Sequence, residues 1–284
     1  MTARRAALHL SRVLWAYFFV QAFAQFFVEL PYGYLAGWIP CALALALNAW
    51  RSNDARRRRR ALGDPAPVEV APPVTGRWSA LNSPADKQPS HGTHTYGQTY
   101  AIDILAEPDG GARPAPVWFW PPARRSEAFP AFGRPLLAVA DATVLHAEDR
   151  QRDHLSRTSL PGVLYLLLVE GVARTLGGPR RIVGNHVVLD LGGGTYALYA
   201  HLRRGSLTVR TGDRVEEGRP LALCGNSGNS TEPHLHFQLM DDSDLDVARG
   251  LPFRWRGVGV PAAGEPFDVP AGGGTSGGVV GGAL

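Results

Sequence analysis

Lysine is all but missing from this chain. Of its 29 basic residues only Lys87 is a lysine, and the rest are arginine. A swinging-arm carrier domain presents a modifiable lysine on a hairpin. Lys87 lies before the first sheet signals, which excludes that class. Cysteine is nearly as scarce: Cys41 sits in an apolar run and Cys224 in a strand-like segment. Neither a disulfide framework nor a cysteine zinc site can be built from this pair. The chain has no His-Glu-x-x-His motif, so a helix-borne zinc site with a glutamate base is also excluded. No internal repeat is evident. The formal net charge is only +4. The arginines cluster towards the N-terminus, which argues for membrane orientation rather than for a nucleic-acid surface.

Long apolar runs are confined to the first 60 residues. Val13 to Val28 is apolar and aromatic apart from Gln21 and Gln25, and Leu30 to Trp50 is a second run of 21 residues. The second is long enough to cross ~30 Å of hydrocarbon. Glu29-Leu30-Pro31 between them reads as a tight turn. Trp15, Tyr17, Tyr32, Tyr34, Trp38 and Trp50 lie mostly near the ends of the runs, where amphipathic rings favour the interface. Arg4, Arg5 and Arg12 come first, and Arg51 and the block Arg56 to Arg60 follow. Residues 1–60 therefore read as a membrane-anchoring region with one or two transmembrane helices, touching the bilayer through residues 13–50. The positive-inside rule places both ends of a two-helix hairpin in the cytoplasm. Residues 61–76 form a Pro-rich linker. Residues 77–256 form the globular domain, and residues 257–284 a Gly-rich flexible tail.

Within the domain the strongest signal is Pro233-His234-Leu235-His236-Phe237-Gln238-Leu239. On a strand, His234 and His236 share one face while Leu235, Phe237 and Leu239 enter a core. Two imidazoles on one face can divide work at one metal, one ligating and one handling protons. A second signal is Tyr100 to Leu105, a strand carrying Asp103 among apolar neighbours. A carboxylate there needs a partner or a metal. His94, nine residues earlier, is the first choice of partner if the chain turns at Gly97; His91 is the alternative. Gly184 to Leu191 and Thr195 to Leu202 read as a hairpin across the triple glycine 192–194, with His201 on the face of Ala197 and Tyr199. Asn185 and Asp190 are candidate supports of the sheet. Leu136 to Leu145 reads as a strand pair turning at Asp141. Residues 147–182 look inserted, with a short apolar helix over Leu164 to Leu176. The Trp- and Pro-rich stretch 106–134 reads as an ordered surface excursion.

His94, Asp103, Tyr199-Ala200-His201-Leu202, Gly212-Asp213-x-Val215-x-x-Gly218, Gly225-Asn226-Ser227-Gly228 and Pro233-His234-Leu235-His236-Phe237 occur in one order. Over roughly residues 90–240 that set resembles the lysostaphin/LytM-type zinc metalloendopeptidases, hydrolases of the bacterial cell wall. The resemblance implies a mainly β fold, an antiparallel β-sheet groove, preceded here by an α-helical membrane hairpin. It implies Zn2+ held by His94, Asp103 and His236, and His201 and His234 as the catalytic pair. It implies hydrolysis of peptide bonds in peptidoglycan cross-links or stem peptides. The family usually spaces its first histidine and aspartate four apart, whereas here the two are nine apart. A peptidoglycan substrate lies outside the plasma membrane, whereas the arginine block favours the inside. An alternative is a non-catalytic, membrane-tethered binding or regulatory module of the same fold.

Overall fold

The computed structural model describes residues 3–29, 31–33, 35–63 and 65–270. The chain divides into two units, Met1–Ala66 and Pro67–Leu284.

The first unit is a pair of helices, α1 (Ala3–Ala24) and α2 (Ile39–Leu62), joined through a 3-10 turn at Ala36–Trp38. Polar contacts tie the hairpin together. Ser11 donates to Asn48 at 3.0 Å, Gln21 donates to the Gly37 carbonyl, and Tyr32 donates to Gln21 at 2.8 Å. Helices therefore form where the two apolar runs lie, but the expected membrane spans are not supported. Among the described residues no helix is long and apolar enough to cross a membrane. The reason lies in where the helices begin and end. The run from Leu30 is broken by the Pro31–Gly33 segment, so α2 starts only at Ile39 and turns polar after Trp50. Its apolar part rises only ~18 Å. In α1 the helix carries His9 and Arg12 before its apolar part and ends at Ala24.

The second unit is mainly β. Its strands are β1 (Val68–Val70), β2 (Gly76–Asn82), β3 (Ile102–Ala106), β4 (Pro135–Leu137), β5 (Ala142–Glu148), β6 (Asn185–Asp190) and β7 (Tyr196–Leu202). They continue with β8 (Arg214–Val215), β9 (Pro220–Leu223), β10 (Leu235–Met240), β11 (Gly250–Leu251), β12 (Phe253–Trp255) and β13 (Pro266–Val269). The main sheet runs in the order β13-β2-β3-β10-β7-β6-β5-β8, with β11 also on β10. Every pairing in it is antiparallel. β10 is thus flanked by β3 and β7, and His236 stands opposite both Asp103 and Ala200.

The period of two in β10 holds. Leu235, Phe237 and Leu239 are buried in the main core with Tyr199, Trp78, Phe253 and Trp255. The Phe237 ring meets Tyr199 and Phe253 edge-on, with centroids at 5.3 and 5.1 Å. Tyr199 is buried but not orphaned, since its hydroxyl accepts from the Val139 amide at 3.0 Å. A smaller cluster on the opposite face joins Val188, Leu198, Ala200 and Met240.

Several boundaries differ from the sequence reading. The stretch 61–76 is not only a linker, because β1 pairs in parallel with β12. The strand pair expected around Asp141 does not form, because β4 pairs with β9 and β5 with β6 and β8. The tail is shorter than residues 257–284: β13 pairs with β2, and Phe267 packs on Trp255. Its glycines conceal a four-residue edge strand. The rest of the expected tail, residues 271–284, lies outside the described residues. The insertion between β5 and β6 is helical as expected: α3 (Leu160–Tyr165), a π-turn (Leu166–Glu170), α4 (Gly171–Leu176) and α5 (Pro179–Val183). Ser159 caps α3 by accepting from the Gly162 amide, and Pro161 occupies its first turn.

Candidate active site

Asp103 is the centre of a buried polar cluster. Its Oδ2 lies 2.9 Å from His91 Nε2 and accepts from Asn82 Nδ2 at 2.8 Å; its Oδ1 lies 2.8 Å from His236 Nδ1. His234 Nε2 stands 3.5 Å from the same Oδ1. Among the described residues, one group of three side chains could hold a metal: His91, Asp103 and His236, whose ligand atoms lie within 4.8 Å of one another. His94, the first choice from the sequence, is not in it; its Nδ1 faces Thr99 Oγ1 at 3.1 Å. The turn expected at Gly97 does occur, with Tyr96 at φ 59° and Gly97 at φ 76°. It brings His91 rather than His94 against Asp103.

The hydrogen bonds around the cluster fix where the imidazole lone pairs point. Gln238 Nε2 donates to the Tyr96 carbonyl at 2.7 Å, so its Oε1 is the atom facing His236 Nε2 at 3.0 Å. An amide oxygen only accepts, so His236 carries its proton on Nε2 and turns the Nδ1 lone pair towards Asp103. His91 is held in the same way. Ser90 spends its hydroxyl proton on the Ala101 carbonyl at 2.6 Å and accepts from His91 Nδ1 at 3.0 Å. That leaves the Nε2 lone pair of His91 facing the carboxylate. Three acceptors therefore converge on one buried point, which a cation would satisfy and empty space would not. Two imidazoles and one carboxylate are the donor set of a catalytic zinc with one position open.

His201 and His234 flank this point. Their ring centroids are 4.7 Å apart, and His201 lies 5.8 Å from His236. His201 Nδ1 donates to the Ser227 carbonyl at 2.8 Å, and His234 Nδ1 to the Glu232 carbonyl at 2.7 Å. A carbonyl only accepts, so both rings hold one proton on Nδ1 and are left with Nε2 to take or give a second, that of His234 standing beside Asp103. Strand alternation predicts His201 on the face of Tyr199, in the core. It is not there, because His201 adopts φ 61°. This left-handed residue turns the ring out to the histidines while Leu202 returns to the core. A strained, non-glycine backbone of this kind costs energy and is concentrated at functional positions.

The Gly225-Asn226-Ser227-Gly228 loop explains how that residue is held. A Cβ on Gly225 would lie 2.2 Å from the Arg203 amide nitrogen, so only glycine lets the loop close over the end of β7. Asn226 donates to the His154 carbonyl at 2.9 Å and ties the inserted segment down. Ser227 Oγ accepts from the Asn185 amide at 3.0 Å and donates to the Leu202 carbonyl at 2.8 Å. Asn185 also donates to Leu202, at 3.1 Å, so it supports the sheet beside His201 without reaching the cluster. Asp190 caps the glycine turn by accepting from Gly192 at 2.9 Å.

The electrostatics follow from burial and crowding. Burial works against a charge on Asp103, but the neighbouring imidazoles of His91 and His234 hold its carboxyl well below the usual range. Burial pushes His201 down, and the adjacent His234 and His236 push it further, well below an ordinary histidine. Burial also disfavours charged His234, yet Asp103 more than offsets it and raises its pKa.

Asn82, Ser90, Ser227 and Gln238 were not among the residues the sequence singled out for the site. Gln238 alone had a legible signal, as the third polar residue on the His234–His236 face.

Comparison with known proteins agrees with the geometry over part of the chain. Residues 169–247 match the model of Peptidase family M23, a stretch that contains His201, His234 and His236 but not His91 or Asp103. The chain is 34% identical over 80 residues to the peptidoglycan DD-endopeptidase ShyA of Vibrio cholerae, covering 28% of this chain and 16% of the relative. It is 47% identical over 45 residues to the glycyl-glycine endopeptidase ALE-1 of Staphylococcus capitis, covering 16% of this chain and 12% of the relative. The matched part thus spans less than a fifth of either relative's length. Among solved structures, the catalytic domain of lysostaphin from Staphylococcus simulans aligns with TM-score 0.32 and 17% identity, over 61% of this chain and 84% of that one. A mutant catalytic domain of the prophage-encoded M23 protein EnpA from Enterococcus faecalis aligns with TM-score 0.36 and 16% identity, over 64% of this chain and 93% of that one.

Proposed function

We propose that this chain is a zinc metalloendopeptidase that hydrolyses peptide bonds of peptidoglycan, in its cross-links or stem peptides. One observation carries the reading: three acceptors with fixed lone pairs meet at a buried point flanked by two histidines, each tied through Nδ1 to a backbone carbonyl. The M23 match and the peptidoglycan endopeptidases among the relatives support the substrate class. His91, Asp103 and His236 would hold the metal. Bound there, zinc supplies Lewis acidity to a water and to the scissile carbonyl.

The chain's own residues then handle the protons. The His201 and His234 Nε2 atoms face the water and the peptide, one taking the water proton and the other returning a proton to the leaving amine. Whichever imidazole is protonated also donates a hydrogen bond to the developing oxyanion. Both rings are pinned through Nδ1 to backbone carbonyls, so neither must be reoriented for the reaction. On this reading the catalytic unit works on the extracytoplasmic side, where peptidoglycan lies.

Incubating the full chain with purified peptidoglycan tests the reading. New free amino groups should appear, stop on chelation and return with Zn2+. A wild-type chain that releases none with zinc restored would remove the hydrolase assignment.

A further inference from the structure

The second unit also carries a ridge of exposed apolar side chains. Trp118, Phe119 and Trp120 are 76%, 69% and 81% exposed. They do not sit on a loose tip. The Trp118 carbonyl accepts from the Leu160 amide at 3.1 Å, Val117 donates to the Thr158 carbonyl at 3.0 Å, and Ser159 donates to the Pro122 carbonyl at 2.7 Å. The loop is thereby fixed beside the start of α3. Along the helical segment that follows, Leu166 is buried and anchors it, whereas Leu164, Leu167, Leu168 and Val169 are exposed. Single exposed apolar residues are ordinary; a rigid set of this size marks a surface that meets something.

The flank of the ridge is strongly basic. A cavity of about 1210 Å³ is lined by seven arginines against Glu127, Glu148 and Asp153. Arg150, Arg152, Arg180 and Arg181 are exposed. Arg157 and Arg174 share one carboxylate, Glu170, at 3.2 and 3.7 Å. Asp153 already accepts from the Arg204 and Asn226 amides. Ridge and cavity are continuous, because the Arg157 guanidinium lies over the Tyr165 ring at 5.7 Å.

We propose that this face seats the second unit on the surface of an anionic lipid bilayer. Tryptophan rings favour the headgroup boundary, leucines on one side of a short helix enter the acyl region, and arginines bind lipid phosphates. This is a contact lying on the membrane, not a span across it. A second copy is the poorer occupant, since a self-complementary contact through the ridge would bring one arginine cavity towards the other. The proposal is independent of the peptidase reading.

Sedimentation of the full chain with vesicles tests it, using phosphatidylcholine alone or mixed with phosphatidylglycerol. The wild type should prefer the mixed vesicles by about tenfold or more, and added salt should erode that preference. The variant Trp118→Ser/Phe119→Ser/Trp120→Ser should bind about tenfold more weakly. So should Leu167→Ser/Leu168→Ser, on a different element, so that misfolding of one variant leaves the other as a test. Arg150→Gln/Arg152→Gln/Arg180→Gln/Arg181→Gln should lose the preference for phosphatidylglycerol. Thermal melting and near-ultraviolet dichroism select the variants that remain folded. Wild type that ignores both vesicles overturns the proposal. So do folded ridge variants that bind as wild type, which would place any lipid contact elsewhere on the chain. A lipid-free dimer that the ridge variants dissolve would replace the bilayer by a second copy.

Discussion

His236 and Gln238 stand two residues apart on one face of β10, and the imidazole Nε2 lies 3.0 Å from the amide Oε1. The relationship is one-directional, because the other end of the amide is committed to the Tyr96 carbonyl. Glycine at 97 makes room for it: a Cβ there would lie 2.7 Å from Gln238 Nε2 and 2.9 Å from Met240 Cγ. The turn that follows His94 and the strand that carries His236 are thus fitted to each other through Gln238.

Gln238→Leu should keep the fold and weaken zinc binding by ~10–100-fold, the usual cost of losing a group that orients a ligand. Nitrogen-15 NMR of the metal-free chain should show His236 as the Nε2-protonated tautomer in wild type and as a mixture in the variant. An unchanged tautomer together with unchanged affinity would remove Gln238 from the site.

The first ligand is decided by comparing His91→Ala with His94→Ala. The first should lose stoichiometric zinc, because its Nε2 faces Asp103; the second should retain it, because its Nδ1 faces Thr99. The reverse pattern would restore the assignment suggested by the resemblance.

His201→Ala and His234→Ala should each retain zinc and lose ~100-fold or more in hydrolysis, the scale of a proton-transfer or oxyanion-binding group. Undiminished hydrolysis by either variant would take that histidine out of the reaction.

The core predicts its own cost. Phe237 is fully buried among Tyr199, Phe253 and Trp255. Phe237→Ala should destabilise the second unit by ~3–5 kcal/mol, read from denaturant midpoints. A loss below ~1 kcal/mol would mean that the ring is not packed as described.

His186 gives a pH dependence away from the metal. Its burial lowers its pKa, and its Nδ1 faces the Gly184 carbonyl at 2.8 Å. Below the ordinary histidine value of ~6.5 the unfolded chain takes up a proton that the folded chain refuses, so stability falls as the solution is acidified. Above that value the contribution is fully present. His186→Gln should therefore show a smaller loss of urea midpoint between neutral and mildly acid pH than wild type. An identical loss would mean that other groups carry it.

Much of the second unit was legible because strand periodicity and glycine turns are local. β10, β3 and the β6–β7 hairpin fall where alternation puts them, and Asp103 stood out as a carboxylate in an apolar strand. What was not legible depends on backbone geometry that residue spacing does not encode. The resemblance pointed to His94, but the left-handed Tyr96 and Gly97 route the chain so that His91 arrives. Alternation put His201 on the face of Tyr199, and a positive φ turned it to the other histidines. Apolar content suggested one or two membrane spans, but a count of apolar residues passes through the Pro31–Gly33 break that the helices do not. The edge strand β13 was hidden by glycine-rich surroundings, because its partner β2 lies far away in sequence.

In the proposed function, His91, Asp103 and His236 hold one zinc on which hydrolysis depends. The most direct measurement determines zinc content and peptidoglycan hydrolysis on the same preparations of wild type and Asp103→Ala. Wild type should carry one zinc per chain with zinc-restorable hydrolysis, and the variant neither zinc nor hydrolysis. Full zinc occupancy or undiminished hydrolysis in Asp103→Ala would contradict that assignment.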